Sequence, residues 1–258
     1  MLSYPMIPLP RHLLATLAPF VALIATPQWF RAETPGTEAD SRDWLESYYE
    51  NPTPGRFVAE VKNWSADGTL DNDHAKPAII AFASQVMRQN RDRIVDWYRD
   101  LAGLPPEHMQ IIHTAMLFSR TKQADAIMGE LFGAAYREHR EKTGKILELP
   151  LDKSGTLDML WGYFYATGST AAIRRIVICF RFEDAPERPD GVKIPDDYVP
   201  LYKVLPEFAE SSIIANAQRH PRIPEILRSL LENDESLLEP EREGIREILK
   251  FLDGGSEV

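Results

Sequence analysis

Apolar residues recur every three or four positions along most of this chain, and strict alternation is scarce. In the stretch LDMLWGYFYATGSTAAIRRIV (157–177), Leu157, Leu160, Trp161 and Phe164 stand at i, i+3, i+4 and i+7, one face of a helix. Gly168 supplies the stop, because glycine alone enters the left-handed conformation without a Cβ penalty. Ser169 or Thr170 then caps a second helix whose stripe is Ile173, Ile176, Val177 and Phe180. Two amphipathic helices joined by about three residues pack antiparallel. A phosphate-cradling loop would need more glycine and a following lysine, whereas Arg174 and Arg175 come a full turn later.

The same punctuation recurs. DSRDWLESYYENP opens on an Asp/Ser cap and stops at Asn51-Pro52, and TPGRFVAEVKNWSADG has Thr53 as N-cap, Pro54 in the first turn and Gly68 past the end. KPAIIAFASQVMRQN, RDRIVDWYRDLAG, PPEHMQIIHTAMLFSR and TKQADAIMGELFGAAYREHREKTG follow, the last as one helix capped by Thr121 and stopped by Gly144. RRIVICFRF reads as a buried helix despite its β-branched content, and GKILELPL is where a short extended segment could sit. A Pro/Asp-rich surface connection occupies 182–197. YVPLYKVLPEFAESSIIANAQRHP, with a kink at Pro206, and two amphipathic helices close the chain. The expectation is an all-α fold, an irregular α-solenoid-like array of antiparallel hairpins forming one helical domain over 40–258.

Residues 1–32 hold an uncharged apolar run, Leu13 to Ala25, behind Arg11 and His12. That length suits an export signal peptide and is short for a membrane span. A packed N-terminal apolar segment and a membrane-surface anchor are the alternatives, and 33–39 reads as a linker. Export would place the protein in the periplasm or outside the cell; without it the location is cytoplasmic.

Charge changes this picture modestly. The formal net charge of -10 argues against binding nucleic acid through its phosphates. Most of the excess lies from Glu183 onward, with 18 acidic and 9 basic residues, and it reads as a solvated surface. Cys179 is the one cysteine, so an intrachain disulfide and cysteine-based zinc sites are excluded, and its apolar context marks a core residue.

The unit LWGYFYATGSTAAIRRIV resembles a tetratricopeptide-type hairpin in its Leu160-Trp161-Gly162 and in Tyr165 three residues on; Arg174 departs from that pattern, which places alanine there. More broadly, SQVMRQNRDRIVDWYRDL, the 157–177 unit and SSIIANAQRHP resemble proteobacterial all-helical proteins that often carry export signals. The resemblance implies the helical fold and export, and supplies no activity.

Candidate chemistry is sparse. His108 and His113 are five apart, not the four that a helical metal pair needs, and Asp71, Asp73 and His74 fit a turn before a helix. No nucleophile-elbow motif is present, and no metal or cofactor is expected. Ser212, Asn216 and His220 fall at i, i+4 and i+8, where they could bind a ligand with His220 as base, or simply face solvent or bond a neighbouring helix. Tyr163 and Tyr165 flank a core stripe, and Gln85, Arg88 and Arg91 make a polar, basic patch; in stacked hairpins such groups could meet a peptide. The leading expectation is a non-catalytic interaction module binding a protein or peptide in a groove between hairpins. The alternatives are an all-α enzyme using His220 and a membrane-surface protein.

Overall fold

The computed structural model describes residues 38–151, 154–183 and 201–254, and among them all regular structure is helical. The N-terminal apolar run and most of the 182–197 connection lie outside the described residues. The α-helices are α1 Glu38–Ser47, α2 Phe57–Ala66, α3 Lys76–Gln89, α4 Ile94–Leu101, α5 Pro106–Ser119, α6 Lys122–Lys142, α7 Ser154–Thr167, α8 Thr170–Val177, α9 Leu201–Ala217, α10 Arg222–Asn233 and α11 Glu239–Gly254.

Helix α3 is the centre. Its residues 81–87 are all buried, so it is covered on every side, and it packs most extensively against α5 and α7. At the α3–α7 crossing the two backbones touch: a Cβ on Gly162 would lie 2.0 Å from the carbonyl oxygen of Ala78. Beside that crossing, Trp44 of α1 and Tyr48 of the turn after it meet Phe82 edge-on at centroid distances of 5.3 Å, with Trp64 of α2 closing the cluster. Each such pair adds about 0.5–1.5 kcal/mol beyond its buried area. The buried apolar residues form one cluster running from Trp44 to Leu249.

Several expected caps are in place. Gly168 adopts φ +60, Ser169 Oγ accepts from the Ala171 N–H, and Thr121 Oγ1 accepts from Ala124 N–H. Thr53 differs: its hydroxyl accepts from Trp44 Nε1 at 2.7 Å instead of capping, so it ties α2's entry to α1. GKILELPL holds a 3₁₀ turn, Ile146–Glu148, rather than an extended segment. RRIVICFRF continues α8 and then tightens into a 3₁₀ turn, Ile178–Phe182.

The largest departure is α6, expected as one straight helix. Gly133 breaks it with φ 59 and ψ -128. Asp125 Oδ1 accepts from Tyr136 Oη and from Arg140 Nε (2.9 Å), and Arg120 Nη1 donates to the Thr143 carbonyl at 2.8 Å. In a straight helix Arg120 and Thr143 would stand about 34 Å apart at 1.5 Å per residue. Residues 122–132 and 134–142 are therefore two arms folded back on each other at Gly133. The sequence on both sides is helix-favouring, and this conformation is open essentially to glycine alone; that single residue makes the fold.

Candidate functional site

The stripe Ser212, Asn216 and His220 points inward. His220 follows the last turn of α9, its N–H bonded to the Asn216 carbonyl at 2.9 Å, and its ring is only 3% exposed. Three rings enclose it: Tyr49 of the α1 exit, and Phe164 and Tyr165 of α7, at centroid distances of 5.8, 5.8 and 5.5 Å. Nδ1 faces Tyr49 Oη at 3.4 Å, while Tyr49 Oη donates to Glu50 Oε1 at 2.8 Å. With the phenol proton committed to Glu50, the imidazole is the donor, and its bare Nε2 is buried without a hydrogen-bond partner. Burial pushes the His220 pKa down, against the opposing pull of Glu46. Such a ring is neutral at physiological pH, and its free lone pair is buried. Asn216 is the hub of the seam, accepting from Tyr165 Oη and donating to the Ser212 carbonyl at 2.8 Å, while Ser212 Oγ bonds back to Ala209.

What this cluster grips is the turn after α7. Tyr49 N–H donates to the Tyr165 carbonyl (3.0 Å), Gln89 Nε2 to Ala166 (2.9 Å) and Arg222 Nε to Gly168 (2.7 Å). Three separate elements thus satisfy carbonyls that a helix end leaves without partners. A Cβ on Gly168 would also fall 2.6 Å from the Tyr49 ring. Of the other residues singled out in the sequence, Gln85 is buried on α3 with Nε2 on Ser84 Oγ, Tyr165 is buried and Tyr163 half-buried, and Arg88 and Arg91 are exposed at the α3–α4 junction. Burial takes Gln85 out of the exposed patch that Arg88 and Arg91 were expected to share with it.

Two arrangements were not visible in the sequence. The first is a hydrogen-bonded chain across three elements: Ser65 Oγ (α2) to His108 Nδ1 (α5) at 2.8 Å, and His108 Nε2 to Asp71 Oδ1 at 2.9 Å. Asp71 can only accept when ionised, so Nε2 carries the proton and Nδ1 accepts from the serine hydroxyl. The imidazole is buried, whereas the Asp71 side chain is 70% exposed. The neighbouring Asp73 pairs with Lys76 at 2.6 Å, and the Asn72 side chain accepts from the His74 N–H, the turn chemistry expected there. Among the described residues no group of His, Cys, Asp and Glu is arranged to hold a metal ion, and no helix is long and apolar enough to cross a membrane.

The second is an open groove of about 330 Å³ between α3, α5 and α7. Pro77, Ile80, Phe118, Leu149, Pro150 and Met159 supply its apolar walls. Its polar members each have a partner in the chain: Thr114 Oγ1 donates to the Gln110 carbonyl, Thr156 Oγ1 to the Pro150 carbonyl, and Lys76 pairs with the Asp73 carboxylate. The groove therefore offers mainly apolar surface. Its size is at the lower end of ligand pockets. Its helical wall residues Pro77, Ile80, Phe118 and Met159 lie 38 to 82 positions apart from one helix to another, a spacing no local motif reveals.

Buried Cys179 and half-buried Asp158 have shifted acidities. Burial pushes the Cys179 thiol up to about 12, so it is protonated and inert, the core role expected for it. Burial alone raises the Asp158 carboxyl on α7 to about 7. A carboxyl raised on folding binds its proton more tightly in the native state, so stability falls as pH rises from about 4 to 7 and is level above that. Asp158→Asn is expected to remove this slope. Its advantage over the wild type grows from near zero at pH 4 to as much as about 4 kcal/mol at pH 8, taking 1.36 kcal/mol per pH unit between 3.8 and about 7. Urea unfolding of both proteins at the two pH values measures it; equal stabilities at pH 8 contradict it.

Comparison of the chain with family models, with curated proteins and with solved structures gives no match.

Proposed function

We propose that this chain is a non-catalytic interaction module that receives an apolar side chain of a protein or peptide partner in the groove between α3, α5 and α7. The observation that carries the reading is the apolar lining of that groove, whose two threonine hydroxyl protons are committed within the chain. With the Thr114 and Thr156 hydroxyl protons bonded within the chain and Lys76 paired with Asp73, an apolar occupant displaces water chiefly from Ile80, Phe118 and Met159. A groove between paired helices is also the place expected for a partner in an array of hairpins.

One observation favours the enzymatic alternative, at different residues from His220. The Ser65–His108–Asp71 chain aligns a hydroxyl, a base and a carboxylate in the order that activates a serine, with the hydroxyl proton passing to His108 Nδ1. A single protein preparation separates the two readings. Linear peptides selected from a random phage-displayed library are expected to share an apolar anchor, and to bind Met159→Glu at least about tenfold more weakly. Peptides with no common anchor, or unchanged binding to a Met159→Glu protein of native circular dichroism, contradict the groove reading. A fluorophosphonate probe that labels Ser65 and spares His108→Ala supports the serine alternative; an unlabelled wild type removes it.

A further inference from the structure

The fold at Gly133 divides the chain into halves that meet along the α6 arms, across the α3–α7 core, and where α1 and its exit touch α7 and the end of α9. We infer that the chain exchanges these halves with a second copy of itself, Gly133 being the hinge: residues 38–132 of one copy pack on residues 134–254 of the other.

The inference rests on three observations. First, a single residue separates the folded-back and the straight forms. Gly133 alone leaves helical geometry within Lys122–Lys142, and glycine enters the helical region as readily as the one it occupies. Straightened, the segment is one helix of about 31 Å, too long for Arg140 to meet Asp125 of its own chain. Second, the bonds that close the arms, Tyr136 and Arg140 on Asp125 and Arg120 on Thr143, lie on opposite sides of the hinge. The same is true of Tyr49 N–H on the Tyr165 carbonyl and of Gly162 on Ala78. Every one of these contacts is re-formed between copies, so exchange sacrifices none of them.

Third, the hinge is flanked by apolar surface that the single chain leaves open. Leu131 is 50% exposed, and Phe132 and Val95 are each 46% exposed. Phe132 packs edge-on against His113 at 5.2 Å, and His113 against Tyr98 on the helix that carries Val95. In the exchanged dimer the two straightened helices cross at Gly133, and this surface meets its own symmetry copy there. That new burial favours the dimer beyond the contacts it inherits. Each groove proposed above then takes α3 and α5 from one copy and α7 from the other, so exchange makes partner binding depend on assembly. Because separating the halves opens the shared core, exchange takes place during folding rather than between native monomers.

Gly133→Ala is the direct test, since alanine is strained at φ 59 and unstrained in a helix. Light scattering after size exclusion is expected to show at least about a tenfold higher dimer fraction than the wild type at equal concentration, with helical content retained. A folded Gly133→Ala protein that stays monomeric overturns the inference. A second arm keeps the native hinge. Chains carrying Arg120→Cys and chains carrying Thr143→Cys are unfolded together in urea, refolded at high concentration and treated with a short bismaleimide. Exchange predicts a cross-linked dimer, which the same chains mixed without unfolding do not give; buried Cys179 does not compete. Absence of that species after co-refolding overturns the inference even if Gly133→Ala fails to fold.

Discussion

Gly162→Ala is expected to unfold the domain or to cost more than about 4 kcal/mol, the range kept for core changes that nothing can relieve. The added methyl would meet Ala78 O, C and Cα at 2.0, 2.8 and 2.9 Å, all of them backbone. Overpacking against a side chain is absorbed by a rotamer change at about 1–3 kcal/mol. Here no rotamer exists to change, and α3 and α7 must separate by at least about 1 Å along a close-packed crossing. Separation would also loosen the aromatic cluster around Phe82 and the bond from Tyr49 N–H to the Tyr165 carbonyl. Gly129 is the internal control. An added Cβ there meets nothing within 4 Å, so Gly129→Ala is expected to stabilise α6 by up to about 1 kcal/mol. Urea unfolding followed by circular dichroism measures both, and a Gly162→Ala protein within 1 kcal/mol of the wild type would refute the backbone contact, the threshold being about the cost of a mild overpacking.

Gly162 also shows how far the sequence can be read. Its place beside the Leu157, Leu160, Trp161 and Phe164 stripe was legible, because 3.6-residue periodicity and Gly168 at the helix end are local signals. The identity of its partner was not: Ala78 is 84 positions away and carries no mark that distinguishes it from Ala81 or Ala83. The same limit applies to the polar stripe of α9. Spacing alone put Ser212, Asn216 and His220 on one face. Whether that face met water, a ligand or Tyr165 depended on where α7 lay. Gly133 misled for a different reason. A glycine inside a strong helical pattern costs only about 1 kcal/mol and is commonly tolerated, so the pattern favoured one long helix. The bonds that fold it, from Tyr136 and Arg140 to Asp125, exist only after the reversal has occurred.

Glu241→Gln is expected to cost about 3 kcal/mol, although Glu241 touches neither the groove nor the hinge. Its carboxylate is fully buried and receives four donors: Arg174 Nη1 at 3.0 Å, Arg181 Nε and Nη2 at 2.7 and 3.2 Å, and the Leu238 N–H at 2.7 Å. The last bond caps α11 from its third residue, so one side chain closes a helix start and pins α8 and the Ile178–Phe182 turn to it. The amide keeps the shape but loses the charge and turns two donors of its own toward guanidinium groups. Breaking a buried pair typically costs about 3–5 kcal/mol because a charge is stranded. The lower figure applies because Arg174 retains Asp234 and Ser236, and the Arg181 side chain, 36% exposed, can turn to water. Glu243→Gln, which weakens only the exposed pair with Arg246, should change stability by less than about 0.5 kcal/mol. Asp234 adds a pH dependence to the same node. The Ser236 and Arg174 bonds hold its carboxyl below the usual range, so its contribution is complete above the unfolded pKa and is lost as pH falls through the lower, folded one. Combining Glu241→Leu with Arg174→Leu and Arg181→Leu removes stranded charges as well as the bonds. A triple variant that recovers most of the single variant's loss would show the penalty to be desolvation of unpaired charge. An equally unstable triple would place it in the α11 cap instead.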